Sequence, residues 1–178
     1  MSEAVRAILD RPAVRRVRSA LEAAGSKAVP LTLEASARTA EDAARALGVA
    51  VGQIVKTLVF LVGERPVLAL VAGDRLCRAE TLPAALGLEG PVRRADAETV
   101  RKATGFSIGG VAPVGLPDRL ACAIDSSLGR FDRIWAAAGH PHAVFESRLD
   151  ELVRLTGGVV AAIARDSEGA AGPSPHAG

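Results

Sequence analysis

The 178-residue sequence predicts one α/β domain, a mixed and largely antiparallel β-sheet with helices packed on it. Three observations carry that reading. Two apolar runs, 54–62 and 66–72, are separated only by Gly63-Glu64-Arg65, which is a hairpin pattern. Segments with apolar residues at helical spacing alternate with further short strand-like runs. No internal repeat or interdomain linker divides the chain, and its length suffices to bury a full core.

The elements follow in order. A helix is predicted over 13–24: Pro12 suits its first turn, Val14, Val17, Leu21 and Ala24 recur at helical spacing, and Gly25 stops it. Residues 1–12 form an N-terminal extension with room for a short separate helix. A strand over 28–33 comes next. Thr39-Ala40-Glu41-Asp42 resembles a capping box with Asp in place of Glu, and it opens a helix that closes at Gly48. Ala43, Ala44 and Leu47 give this helix a small-residue face suited to close packing on a sheet. After the hairpin come a helical piece over 79–86, a short run at 91–93 and a helix over 96–104. Strands are expected over 119–125, 133–138 and 142–145, then a helix over 149–155 and a last strand over 158–163. The domain is expected to span 13–165. Residues 166–178 are mostly Gly, Ala, Ser and Pro, which bury too little apolar surface to offset their ordering entropy, so a disordered tail is expected.

Composition excludes several functions. Four Phe, one Trp and no Tyr leave the core to aliphatic residues and argue against a stacking platform for single-stranded nucleic acid. A net charge of +2 is too small for nonspecific DNA binding, yet it permits a local basic rim. Arginines and lysines cluster at Arg11, Arg15, Arg16, Arg18 and at Arg93, Arg94, Arg101, Lys102; either group could be a solvated helix face or a guide for a polyanion. Cys77 and Cys122 lack a CxxC spacing, and two thiols with three histidines do not make a zinc site, so no metal or other cofactor is expected. There is no signal-peptide pattern and no apolar run of membrane-spanning length, which predicts a cytoplasmic protein without a membrane partner.

Two features carry candidate chemistry. The run Gln53-Ile54-Val55-Lys56-Thr57-Leu58-Val59-Phe60-Leu61 holds one lysine in an apolar strand. Alternation places Ile54, Lys56, Leu58 and Phe60 on one face and Val55, Thr57, Val59 and Leu61 on the other. Lys56 then either snorkels at a sheet edge or projects into a cleft to meet an anion. The second feature is the loop Thr104-Gly105-Phe106-Ser107-Ile108-Gly109-Gly110-Val111-Ala112-Pro113-Val114-Gly115. A loop this poor in side chains serves either as a plain connector or as a cradle whose backbone N–H groups hold an oxyanion. No GKS or GKT follows it, so it is not a P-loop.

Taken together, the capped helix 39–48, Gln53-Ile54-Val55-Lys56-Thr57-Leu58-Val59-Phe60, Gly73-Asp74, Thr104-Gly105-Phe106, Gly109-Gly110-Val111-Ala112-Pro113-Val114-Gly115, Ile124-Asp125 and Ala138-Gly139 resemble the YbaK/EbsC family. That family shares a superfamily with the editing insertion of bacterial prolyl-tRNA synthetase. The similarity covers roughly residues 14–163, and order and spacing together make it specific where each motif alone is weak. One departure stands out: after Gly73-Asp74 the chain reads Arg75-Leu76-Cys77-Arg78-Ala79-Glu80, without the lysine often found there.

The resemblance implies a YbaK-like fold and a deacylase that hydrolyses the ester joining a wrong, small amino acid to tRNA, chiefly tRNA(Pro). Mischarged tRNA is the implied partner and prolyl-tRNA synthetase a further one; DNA is not. Lys56, Gly109 and Gly110 fall on the implied catalytic positions, with Thr57, Phe60, Val111, Pro113 and Asp125 around the substrate. Lys56 would hold the terminal phosphate or the ester end, N–H groups near Gly109 and Gly110 would polarise the carbonyl, and a bound water would attack. An aminoacyl ester is already activated, so positioning and charge stabilisation suffice. No G-x-S-x-G and no cysteine–histidine proximity in sequence suggests covalent catalysis. Asp125 either binds the substrate's α-amino group or caps the Ser126-Ser127 turn. His140 and His142 are expected in an exposed turn after Gly139, and Trp135 in the core. Two other functions compete: a noncatalytic tRNA- or synthetase-binding module, and a hydrolase of small amino-acid esters.

Overall fold

Strands β2 (Ile54–Val62) and β3 (Arg65–Ala72) pair antiparallel from Val62↔Arg65 to Val55↔Ala72, with Gly63 and Glu64 alone turning the chain. Gly63 takes a positive φ of 59°, which a two-residue hairpin requires. The computed structural model describes residues 1–34 and 37–167. Every residue from Val67 to Ala72 is at most 1 % exposed, so β3 is the buried spine of the sheet.

Around this hairpin lie β1 (Leu31–Thr32), β5 (Val92–Arg94), β6 (Ala121–Asp125), β7 (Ile134–His140), β8 (Ala143–Ser147) and β9 (Val159–Ala161). They build an eight-stranded sheet in the order β1-β8-β7-β2-β3-β6-β9, with β5 added on β2. Strands β4 (Arg75–Cys77) and β10 (Ala164–Asp166) form a separate antiparallel pair. Among the described residues antiparallel pairings number five and parallel ones three. The parallel pairs β2/β7, β3/β6 and β6/β9 are joined by long crossovers, as parallel neighbours must be.

Helices cover both faces. Helices α2 (Pro12–Ala23), α5 (Ala97–Thr104) and α6 (Leu149–Thr156) bury Val14, Val17, Leu21, Val100 and Leu152 in one core cluster with Val55, Val59 and Leu61 of β2. On the opposite face Leu82 of α4 (Leu82–Leu86) shares a second core cluster with Phe60 and Val62, and Ala43 and Ala44 of α3 (Ala40–Leu47) share a third with Ile54. The two faces of β2 therefore sort as alternation predicts. Thr39 caps α3 by accepting from Asp42 N at 3.1 Å, and Gly48 ends it at φ 70°. A short helix α1 (Glu3–Leu9) precedes α2.

Some boundaries differ from expectation. The strand expected over 28–33 shrinks to two residues, because Pro30 has no N–H for a ladder and Val29 is 64 % exposed. Strand β7 continues through Gly139 to His140 across a bulge, so the hairpin turn falls at Pro141-His142 rather than at His140. The strand expected over 158–163 is two strands, β9 and β10, and β10 reaches Asp166, which pairs with Arg75 at 2.8 Å. The tail expected beyond it falls largely on 168–178, outside the described residues. Strands β4 and β5 have three residues each, too few to show a period in sequence. Among the described residues no helix is long and apolar enough to cross a membrane.

Candidate active site

The site arises from an interruption in the sheet. On the side away from β3, strand β2 pairs with β7 only at Ile54 and Val55, and with β5 only from Phe60 to Val62. Residues 56–58 between those pairings have an open edge. Backbone groups of an antiparallel strand alternate between its two neighbours. Ile54 O accepts from Gly73 N next to β3 at 2.7 Å, whereas Val59 O accepts from Ala95 N on the far side at 3.2 Å. The backbone N–H and C=O of Thr57, in phase with Val59, therefore face the gap.

A cavity of about 310 Å³ occupies this gap. Lys56, Thr57, Leu58 and Val59 form its floor, Gly109 and Val111 come from the glycine loop, and Trp135 and Val144 from β7 and β8. Arg94 and Arg38 also line it. Such a volume is at the small end of ligand sites, of the order of a few hundred Å³. It suits a small group rather than a whole nucleotide.

Lys56 is half-buried, and its Nζ donates a hydrogen bond to the backbone carbonyl of Arg75 on β4. Burial pulls its pKa below the ordinary lysine value, and the nearby Glu41 carboxylate partly opposes this. Strand β4 is itself anchored: Arg75 pairs with Asp166, and neighbouring Asp74 receives both Nη groups of Arg130 at 2.8 and 3.0 Å.

The structure brings together Lys56, Thr57, Gly109 and Val111 among the residues expected at the site. Gly109 has φ 93°, a conformation natural only to glycine, and a Cβ there would meet nothing nearer than Pro141 Cγ at 3.9 Å. Gly110 stands behind it. Its N–H donates to Ser107 O at 3.0 Å, so it is already used in a turn, and a Cβ would lie 3.0 Å from the backbone N and Cα of His140. Three expected residues lie elsewhere. Phe60 is buried in the opposite core under the Arg94 guanidinium, 5.5 Å from its ring centroid. Pro113 lines a different pocket beside Leu68 and Leu155.

Asp125 is 2 % exposed, and it accepts from Ala72 N at 3.2 Å, Ser127 N at 3.0 Å and Ser127 Oγ at 2.6 Å. Of its two readings, the turn cap is the one these bonds describe.

Sequence reasoning passed over three cavity residues. Arg94 belonged to a basic cluster, but only its pairing on β2 brings it to the opening. Arg38 precedes α3, and nothing in its sequence context signals a site. Trp135, expected in the core, is half-buried at the cavity wall, and its Nε1 is buried without a partner among the described residues, as is Thr57 Oγ1. His140 closes β7 and accepts from His142 N through Nδ1 at 3.0 Å; burial lowers its pKa, which keeps it neutral near pH 7. Neither thiol is a ready nucleophile. Burial pushes Cys77 up to about 11 and Cys122 up to about 12.

Comparison with known proteins decides the family. The sequence profile of the aminoacyl-tRNA editing domain matches residues 34–155, which includes the lysine strand, the glycine loop and Asp125. The chain belongs to the aminoacyl-tRNA editing domain family. Among relatives of this editing domain, the uncharacterized protein YwhH of Bacillus subtilis is 32 % identical over 120 residues, 67 % of this chain and 75 % of that protein. A proline–tRNA ligase of Thermoanaerobacter is 35 % identical over 92 residues, 51 % of this chain but only 16 % of the ligase. A protein crystallised as a candidate trans-editing enzyme for prolyl-tRNA synthetase superposes with a TM-score of 0.81 at 42 % identity, covering 87 % of this chain and 98 % of that one. The YbaK-like editing fold expected from sequence is thus the fold observed.

Proposed function

We propose that this editing domain is a trans-acting hydrolase that removes a small amino acid misattached to tRNA(Pro), with prolyl-tRNA synthetase as the enzyme whose errors it corrects. The observation that carries the reading is that Lys56 and Gly109, 53 positions apart (109 minus 56), line one small cavity. The matched segment of a proline–tRNA ligase and the likeness to a candidate trans-editing enzyme supply the substrate class.

In this mechanism the 3′ end of the tRNA enters the cavity mouth. Lys56 leaves the Arg75 carbonyl and holds the phosphate or ester end of the terminal nucleotide. Gly109 N–H, which has no hydrogen-bond partner among the described residues, meets the carbonyl oxygen as charge develops on it. Gly110 does not donate there, since its N–H already serves Ser107. It shapes the loop instead, by packing on His140 so closely that a Cβ would crowd the backbone there at 3.0 Å. A water oriented by the tRNA's own terminal hydroxyl attacks, and the amino acid leaves as its carboxylate. No side-chain nucleophile is needed, because the ester is activated and the site contributes orientation and charge.

Such a site has a physical purpose. A synthetase pocket built for proline rejects a smaller side chain by only about 1–3 kcal/mol per missing methylene, so a second hydrolytic site restores accuracy. The test is a deacylation time course on tRNA(Pro) carrying alanine, cysteine, serine or threonine, beside correctly charged prolyl-tRNA. Loss of ester from a mischarged species with prolyl-tRNA spared is the expected result. Protection of every ester would instead identify a binding module.

A further inference from the structure

An aminoacyl ester carries an α-amino group, and the cavity offers it no carboxylate. Its charged lining groups among the described residues are Lys56, Arg38 and Arg94, all cations. The lining contributed by α3, α5, β7, β8 and the glycine loop is uncharged. Glu41 and Asp74 act on Lys56 electrostatically without lining the cavity. Asp125, the acid that could have held an ammonium, is buried with both oxygens committed to Ala72 and Ser127. A protonated α-amine would thus be desolvated among like charges, and a neutral one would not.

A neutral amine both donates and accepts, and the cavity has matching groups. The N–H and C=O of Thr57 face the open edge of β2. Resting on the deacylase reading above, we propose that this site takes its acyl group uncharged at the α position, held by the Thr57 backbone edge. The substrate class therefore extends to 2-hydroxyacyl esters of tRNA, in which a hydroxyl replaces the amine. An α-amino group titrates near pH 7.7–8.0, so the aminoacyl substrate should become competent only as pH rises through about that range.

The test uses alanyl-tRNA(Pro) and its deaminated counterpart, lactyl-tRNA(Pro), on the full chain between pH 6 and pH 8.5. The spontaneous hydrolysis of each ester at each pH is subtracted as background, and the two enzymatic kcat/KM values are then compared directly. Titration of Lys56 or His140 affects both substrates and cancels in their ratio. The lactyl-to-alanyl preference is expected to grow at least about fivefold as pH falls from 8.5 to 6, following the protonation of the amine. A ratio that stays flat or falls on acidification, with both esters hydrolysed, overturns this proposal and leaves the deacylase reading standing. Hydrolysis of neither ester, nor of any other mischarged tRNA(Pro), overturns both.

Discussion

The ammonium of Lys56 is aimed by the backbone carbonyl of Arg75, so a residue of the main sheet is oriented by the small β4–β10 sheet beside it. That relationship explains how a lysine among apolar neighbours is directed. It also makes the anchoring of β4 part of the site.

Replacing Lys56 by alanine should lower deacylation by a factor of several hundred, corresponding to roughly 3–4 kcal/mol of lost transition-state stabilisation. The fold should survive, since the side chain is half-buried and contributes one hydrogen bond to a carbonyl. Single-turnover rates beside a circular-dichroism melt check both halves. Wild-type rates in K56A would remove Lys56 from the mechanism.

Arg130→Met should weaken the anchor of β4 and alter the acid limb of stability. The Arg130 guanidinium holds the Asp74 carboxyl below its ordinary value, chiefly through their hydrogen bond. A depressed carboxylate contributes stability above its unfolded pKa and loses it as pH falls through the folded one. Melting temperatures of wild type and R130M should therefore differ at pH 6 and converge below the carboxylate range. A gap independent of pH would show that the pair contributes only packing.

Asp125→Ala should act on stability before activity. It leaves the N–H of Ala72 and of Ser127 without their buried acceptor, at a cost of about 1–3 kcal/mol for each group left unpaired. Urea unfolding measures the loss directly. An unchanged midpoint together with a raised KM would return Asp125 to the substrate.

The two loop glycines should fail differently. Gly110→Ala drives a methyl against the His140 backbone, so about 1–3 kcal/mol of destabilisation is expected, with displacement of the loop. Gly109→Ala has open space but forces alanine to φ 93°, a backbone strain of about 1–3 kcal/mol located at the cavity wall. G109A should accordingly lose more activity per degree of melting temperature than G110A. Equal ratios in the two variants would contradict the placement of Gly109 at the wall.

Much was legible from the sequence alone, because the relevant physics is local. The period-two run 54–62, the two-residue turn at Gly63-Glu64, the Thr39 cap and Gly48 stop each depend on neighbours within a few positions. So does the choice of Lys56, a charge in an apolar run, and of a glycine-rich loop. The tertiary structure alone decided which of these meet. Pairing of β7 and β5 at opposite ends of β2 leaves residues 56–58 open and creates the cavity, and no local signal encodes a gap between two partners distant in sequence. The same holds for Asp125, where both readings suited an aspartate at a strand end until its bonds to Ala72 and Ser127 consumed the carboxylate. Arg94 and Trp135 enter the site for one physical reason: strand pairing sets side-chain direction, and pairing is a property of the whole chain.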